Sequence, residues 1–308
     1  MIELIATVES IAQAQALLPV VDTICFGEET FGLRLPHSFS RAEQKELVAL
    51  AHAAGKQVLV AVNGLMHPEK MKLVPEYLAF LNEIKVDKIS VGDAGVVYVL
   101  NKHPEWQLPF VYDGETLVTS SRQINFWAKK GASGAVLARE VPFAEMQAVA
   151  NELTVPAEVL VYGATCIHQS KRPLLQNYYN FTQQEEDKSK ERGLFLSEPK
   201  KTETHYSIFE DSHGTHIFAS DDLCLVQELA DLAAQSGVVG EGIEIAEGEA
   251  KIVSLPDEAV EDMATTGLVE EKAPFNWPLA AGIAGGVVVL GGVVFLIIKK
   301  SKMTATAA

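Results

Sequence analysis

The chain has 308 residues, 48% of them hydrophobic and 21% charged, enough for one large domain with appendages or for two domains. Its formal charge of −16 excludes a protein that grips nucleic acid by its own net charge, because that affinity comes from Lys and Arg neutralising phosphates; a local basic patch or a basic partner would have to supply it. Three scattered cysteines, Cys25, Cys166 and Cys224, exclude a disulfide framework and fit a reducing compartment, and the first ten residues carry Glu3 and no basic lead, so no signal peptide is expected.

In chain order, "ELIATV" predicts a strand and "SIAQAQALL" a helix capped by Ser10. "VDTICFG" is the next apolar run. "SRAEQKELVALAHAAGK" is a marked helix, with Ser40 as cap, Glu43 three residues on and Gly55 as stop. "QVLVAVN" reads as a strand and "PEKMKLVPEYLAFLNEI" as a helix with Pro68 near its start. "KISVGD" and "FVYDGETLV" read as strands, and "SRQINFWAKKG" as a helix. "GAVLARE" precedes a helical "FAEMQAVANEL", "EVLVYG" is a further strand, and "LCLVQELADLAAQSG" a late helix.

Apolar strands without strict alternation, recurring with helices between them, predict a parallel sheet covered on both faces. Some seven such units over residues 1–245 fit a (β/α)8 barrel better than an open sheet. No Gly-x-Gly-x-x-Gly follows a strand, which weakens a dinucleotide-binding reading. In a barrel the residues just after the strands face the site, which selects Gly27 and Glu28, Asn63, Asp93, Thr116, Arg139 and Glu140, and Gly163 to Cys166. Turn and cap duties account for a share of these.

Residues 176–206 are polar, without apolar period, and predict an insertion or an ordered loop over the site. Residues 246–277 are rich in acids, with Pro256 and Pro274, and predict an acidic flexible linker. From Ala273 to Ile298 no residue is charged. Residues 278–298 supply a predominantly apolar run of roughly 30 Å as a helix, so a C-terminal transmembrane helix is expected, followed by a short basic tail over 299–308. Gly282 and Gly286 form a small-xxx-small pair suited to helix packing in lipid. Lys299, Lys300 and Lys302 favour keeping the tail in the cytoplasm, and the lack of an export signal favours the same side for the main domain. A single span cannot satisfy both; the reading adopted is a single-pass membrane protein with a cytoplasmic main domain.

The chemistry centres on "EVLVYGATCIHQSKRPLL", residues 158–175. Three readings of Cys166 stand open. A nucleophile needs a depressed pKa and a nearby base, and no Cys/His signature is present. A metal site needs companions, and His168 together with Cys224, His213 and His216 in "EDSHGTHIFASDDLC" are the candidates. The third reading is a small apolar packing residue.

Glu158, Gly163, Ala164 and Cys166 resemble the signature of the collagenase-like peptidases of unknown catalytic type, the U-thirty-two peptidase family. "FGLR" after the second strand, Asn63 ending "VLVAVN", Asp93 ending "ISVGD" and "SDDLC" agree with it over about residues 1–240. The likeness is to short members that work beside a longer paralogue. It implies a barrel-like fold and two kinds of activity: peptidase action, or oxygen-independent hydroxylation of RNA pyrimidines, the latter in several members with a [4Fe–4S] cluster on four cysteines. Cys166 and Cys224 match the first and last of those cysteines, and the middle two are absent, so the ligand set for an iron–sulfur cluster or metal is incomplete.

Three functions follow as expectations. The first is a subunit for tRNA wobble-uridine hydroxylation acting with a longer paralogue, with Arg34, Lys171, Arg172 and Tyr178 meeting tRNA and Asn63, Asp93, Glu158 and Cys166 as candidate catalytic groups. The second is a protease or collagenase-like hydrolase, which lacks a Ser motif or a His-Glu-x-x-His. The third is a non-catalytic, membrane-tethered partner.

Overall fold

The computed structural model describes residues 2–183, 188–191, 193–198, 200–225, 228 and 294–298. Seven strands follow one another in a single sheet: β1 (Ile2–Thr7), β2 (Thr23–Gly27), β3 (Gln57–Val62), β4 (Lys88–Val91), β5 (Phe110–Tyr112), β6 (Gly134–Val136) and β7 (Ala157–Gly163). Each pairs in parallel with the next, so the sheet curls as an α/β fold with helices between strands. The expected βα order is therefore present, but among the described residues there are seven parallel strands and no eighth βα unit. The short strand β13 (Val294–Ile298) instead pairs antiparallel with both β1 and β7.

That strand consists of the last five residues of the expected transmembrane run. Its sequence, Val-Phe-Leu-Ile-Ile, is β-branched and aromatic, the composition that suits a pleated surface. Among the described residues no helix is long and apolar enough to cross a membrane. Residues 278–293, the acidic linker, the basic tail and most of the late "LCLVQELADLAAQSG" helix lie outside the described residues.

The strands form where the sequence offers short β-branched runs, and they are covered on both sides. All five residues of β2 are buried, as are five of the six in β3. Between them, α2 (Arg41–Ala53) starts at a capping box: Ser40 accepts from the Glu43 N–H while the Glu43 carboxylate accepts from the Ser40 N–H. Its buried face, Gln44, Leu47, Val48 and Ala51, follows the helical period and lies against β2 and β3. Gln44 is a polar residue on that face, and its side chain is satisfied: it donates to the Phe39 carbonyl at 2.9 Å and accepts from the Tyr77 hydroxyl at 3.0 Å.

The helix expected over 68–84 is two helices, α3 (Pro68–Met71) and α4 (Val74–Glu83). Pro75 explains the break: it has no N–H to give, and its ring would collide with the carbonyl four residues earlier. At α4 the proline sits in the first turn, where both defects are harmless.

Among the described residues, the stretch after β7 holds a second, antiparallel sheet, the insertion rather than the loop of the two expectations. Its strands are β8 (Cys166–Ser170), β9 (Leu194–Glu198), β10 (Lys201–Asp211) and β11 (Gly214–Phe218), in the order β8-β11-β10-β9. Helix α8 (Leu174–Thr182) packs on β10 and β11. The chain then returns to the first sheet as β12 (Leu223–Cys224), beside the end of β7.

Candidate functional site

Parallel strands deliver their C-terminal ends to one rim, and the side chains that follow them converge there. Asn63 follows β3, Asp113 follows β5, Arg139 lies just past β6, and Cys166 begins β8 past β7. Asn63 holds two loops at once. Its amide donates to Asp113 Oδ2 at 2.7 Å, and its carbonyl oxygen accepts from the Leu33 N–H at 2.8 Å. The buried Asp113 carboxyl is raised, by burial first and then by repulsion from Glu115; Arg34 and the Asn63 hydrogen bond oppose this.

Arg34 and Glu115 form an ion pair across the rim, and Arg139 approaches the other Glu115 oxygen at 3.6 Å. Both Arg34 (φ 52°) and Glu115 (φ 57°) sit in the left-handed region that non-glycine residues avoid. Such strain gathers at ligand clamps, where surrounding contacts over-determine the backbone. Here two strained residues hold each other.

Three cavities meet at Asp113. The main one, about 360 Å³, is lined by Asn63, Asp113, Glu115, Gln169, Lys171 and His213, with Leu33, Leu65 and Leu117 as apolar wall. A second, about 130 Å³, lies between Asp113, Glu115, Arg139, Thr165 and Cys166. A third, about 90 Å³, reaches inward past Arg34 and Asn63 to Cys25 and Glu158. Glu158 is buried, its Oε1 has no hydrogen-bond partner, and its pKa is pushed up to about 8, chiefly by burial, with Asp113 and Glu3 adding and Lys88 opposing. Its neighbour Cys25 is pushed up to about 12, first by burial and then by Glu158, and stays a thiol.

Four of the residues expected from sequence come together at this rim and interior: Asn63, Glu158, Cys166 and Arg34. Lys171 joins them in the main cavity, its ammonium held by the Ser212 carbonyl at 2.7 Å. Asp93 does not belong with them. Its two oxygens are spent on backbone, accepting from Gly95 N at 2.6 Å as the cap of α5 (Ala94–Lys102) and from Met66 N at 2.8 Å. Asp93→Ala is therefore expected to lower stability by about 1–2 kcal/mol in urea unfolding, with the rate of any ligand reaction at the rim unchanged. Arg172 and Tyr178 are exposed, on the turn after β8 and on α8, rather than lining these cavities.

Of the expected metal residues, Cys166 and His216 share a face of the β8–β11 ladder, and Cys224 lies beside the end of β7. Among the described residues no group of three or more His, Cys, Asp or Glu could hold a metal ion. His213 turns away to the loop after β2, its Nε2 2.6 Å from the Glu29 carbonyl and 3.0 Å from Lys70 Nζ. Burial, then the Lys70 charge, lowers its pKa and keeps it neutral. Cys224 is exposed on β12. With three cysteines in the chain and Cys25 enclosed in the core, a four-thiolate cluster does not fit.

On the β11 face beside Cys166 stands His216, backed by Asp211. A bulge in the β8–β11 ladder skips Ile167: Ile217 pairs with His168, but Phe218 pairs with Cys166. The bulge thus gives Cys166 the face that Ile167 would otherwise occupy, and that face carries His216 two residues away. The imidazole is wholly buried, its Nε2 3.0 Å from Asp211 Oδ1. Asp211 also accepts from the His213 N–H at 2.7 Å.

Asp113 escapes a reading of the sequence because "FVYDGETLV" looks like one strand ending near Thr116. The strand stops at Tyr112, and the Asp-Gly dipeptide at 113–114 is the available signal for that stop. Asp211 lies in plain view beside the two histidines, but only the hairpin shows that its carboxylate meets the ring of His216 and the backbone of His213.

A curled parallel sheet, a rim of polar strand-end residues and an antiparallel insertion after β7 make the chain an α/β protein with a barrel-like curl. It belongs to Peptidase family U32, whose profile matches residues 9–245. It is 38% identical over 234 residues to tRNA hydroxylation protein P2 of Bacillus subtilis (strain 168), covering 75% of each chain. It is 26% identical over 159 residues to tRNA hydroxylation protein P1 of the same organism, covering 51% of this chain and 37% of that one. Among solved structures it matches the U32 peptidase Mk0906 at 18% identity and a TM-score of 0.45, over 52% of this chain and 68% of the other.

Proposed function

We propose that this chain is the shorter member of a pair that hydroxylates a tRNA uridine at the wobble position, acting with a longer paralogue and with its rim holding the base. The observation that carries this is the 38% identity to tRNA hydroxylation protein P2 over three quarters of both chains, with a P1 relative in the same organism. The rim suits a base. The main cavity offers apolar walls from Leu33, Leu65 and Leu117 to a flat ring, and Asn63, Asp113, Gln169 and Lys171 as hydrogen-bonding groups at its edge. On the insertion, the exposed Lys171, Arg172, Tyr178 and Phe181 supply charge for phosphate and rings for stacking. The chain's overall acidity is the reason a partner is part of the proposal.

The test is mass spectrometry of tRNA nucleosides from a strain lacking this gene. The expected result is loss of the hydroxylated uridine and its restoration by the wild-type gene, with Asn63→Ala restoring less than about a tenth of it. Unchanged tRNA in the deletion strain, with the paralogue gene intact and also dispensable, would remove the proposal. The hydrolase alternative predicts casein or gelatin cleavage by the purified chain that Cys166→Ala abolishes.

A further inference from the structure

We propose that Cys166, His216 and Asp211 form a thiol–imidazole–carboxylate relay that arms Cys166 as a nucleophile facing the 130 Å³ cavity, for addition to an α,β-unsaturated carbonyl in a ligand held by Arg139. The family likeness aligns Cys166 with a cluster thiolate, but the residues around it do not form a ligand set. They form the arrangement that activates a nucleophile: a thiol, a base against it, and a third group that orients the base.

Each part comes from a different stretch of chain. Cys166 opens β8, His216 is in mid β11, and Asp211 ends β10 at the hairpin. Asp211 takes the Nε2 side of the ring at 3.0 Å. The opposite nitrogen, Nδ1, is buried without a partner in a ring that is wholly enclosed. An orphaned acceptor of that kind is destabilising unless something uses it. The β8–β11 pairing puts Cys166 on the face that carries His216, and with Nε2 engaged by Asp211 the unpartnered Nδ1 is the nitrogen left for the thiol. The thiol at present gives its proton to the His168 carbonyl at 3.3 Å, a long and weak bond that it can leave.

The charges agree with the geometry. Burial pushes the Cys166 thiol up, but contact with His216 and the charges of Arg34, His216 and Arg139 outweigh it, and the thiol lies below its usual range. Burial pushes His216 down, but Asp211 and the sulfur outweigh that, and it lies above its usual range. Both shifts favour the thiolate–imidazolium pair. The charged groups facing this pair from the packed elements are Asp211 on β10, Arg34 from the loop after β2, Arg139 and Glu140 from the loop after β6, and Asp113 and Glu115 after β5.

The step balances without an oxidant. The Cys166 proton passes to His216 Nδ1, while Nε2–H remains bonded to Asp211. The sulfur lone pair forms an S–C bond at the β-carbon of the acceptor, and the displaced π pair moves to the carbonyl oxygen as an enolate. The imidazolium proton then goes to the α-carbon, which leaves a neutral thioether adduct and a neutral imidazole. The C5=C6 bond of a uracil, conjugated to its O4, is one acceptor of this class; that assignment alone rests on the tRNA reading above, and it requires the ring to reach from the main cavity past Asp113 and Glu115, which line both cavities.

N-ethylmaleimide, itself an α,β-unsaturated carbonyl, is the probe. The full chain is treated at pH 6.0 and 8.5, and alkylation of Cys25, Cys166 and Cys224 is followed by peptide mass spectrometry. Cys166 is expected to react at least ~10-fold faster than the exposed Cys224 at pH 6.0, and His216→Asn to remove most of that advantage while leaving Cys224 unchanged. Cys25, enclosed in the core, reports the fold. If His216→Asn exposes Cys25 to label, Asp211→Asn takes its place, with an expected loss of ~3-fold or more at pH 6.0. Equal rates for Cys166 and Cys224 at pH 6.0, or an undiminished Cys166 rate in the folded variant, would overturn the relay. The alkylation result stands whether or not the deletion strain loses its modified uridine, so the two readings fail separately.

Discussion

Glu158→Gln is expected to abolish most of the loss of stability that the wild-type chain shows between about pH 5 and pH 8. Glu158 is buried in the interior of the curled sheet, with one carboxyl oxygen unpartnered. Burial, reinforced by Asp113 and Glu3, raises its pKa to about 8, against 4.5 for the free side chain. In the folded chain the group therefore keeps its proton through a range in which the unfolded chain has released it. Across that window the folded state binds more protons than the unfolded one, so stability falls as pH rises from the unfolded pKa through the folded one. Below pH 4.5 the group is neutral in both states and contributes no slope.

The full effect amounts to roughly 3–5 kcal/mol at pH 8.5, because every pH unit separating the unfolded and folded pKa values is worth about 1.4 kcal/mol. Glutamine has the shape of the protonated acid and cannot ionise. Urea unfolding at pH 5.0 should give similar stabilities for the two proteins, within about 1 kcal/mol, because Gln replaces an already neutral group. At pH 8.5 the variant should be the more stable by a few kcal/mol. Parallel stability curves over the whole range would show that Glu158 is ionised in the folded state, with Lys88 or another cation compensating it. A neutral acid at this position also bears on the rim. Asp113 and Glu158 are both raised, Asp113 being among the causes that raise Glu158, so the interior carries less negative charge next to the ligand cavity than its composition suggests.

The parallel strands were legible because their information is local. β-branched runs, a Ser40–Glu43 capping box and a Gly55 stop each specify an element without reference to anything distant. Strand ends in a parallel sheet share a rim, so Asn63 and Arg139 could be placed there from chain order alone. Three things could not be read that way. The antiparallel insertion depends on which polar strands pair, and residues 194–218 carry little apolar contrast to mark a register. The Cys166–His216 contact depends on a one-residue bulge at Ile167, which is a property of the paired ladder and invisible in either strand separately. The run 294–298 has the composition of a membrane span and of a buried strand alike, and periodicity does not separate the two. The incomplete cysteine set, by contrast, was fully present in the sequence and bears directly on how Cys166 is read.

Gly214→Ala is expected to be the most damaging single methyl addition in the insertion, costing more than about 3 kcal/mol. Gly214 follows the two-residue turn that joins β10 to β11, with φ at +114°, a conformation open to glycine and strained for any other residue. Space forbids the change independently. A Cβ there would stand 2.0 Å from the Ser170 carbonyl oxygen and 2.7 Å from the Lys171 Cα, both backbone, which cannot swing aside as a side chain would. Relief requires β11 to withdraw from β8, and that withdrawal undoes the pairing of Thr215 with Ser170 and of His216 with Gln169. His216 then leaves Cys166, and Lys171 loses its bond to the Ser212 carbonyl. Gly55→Ala is the control: φ is +69° but nothing lies within 4 Å of the new methyl, so only backbone strain of about 1–2 kcal/mol applies. Urea unfolding of the two variants measures the difference in stability, and N-ethylmaleimide labelling of Cys166 at pH 6.0 measures its consequence. Gly214→Ala should slow that labelling to the rate of Cys224, while Gly55→Ala leaves it at the wild-type rate. A Gly214→Ala protein as stable as Gly55→Ala, with Cys166 still fast, would show that the hairpin does not seat His216 against the thiol.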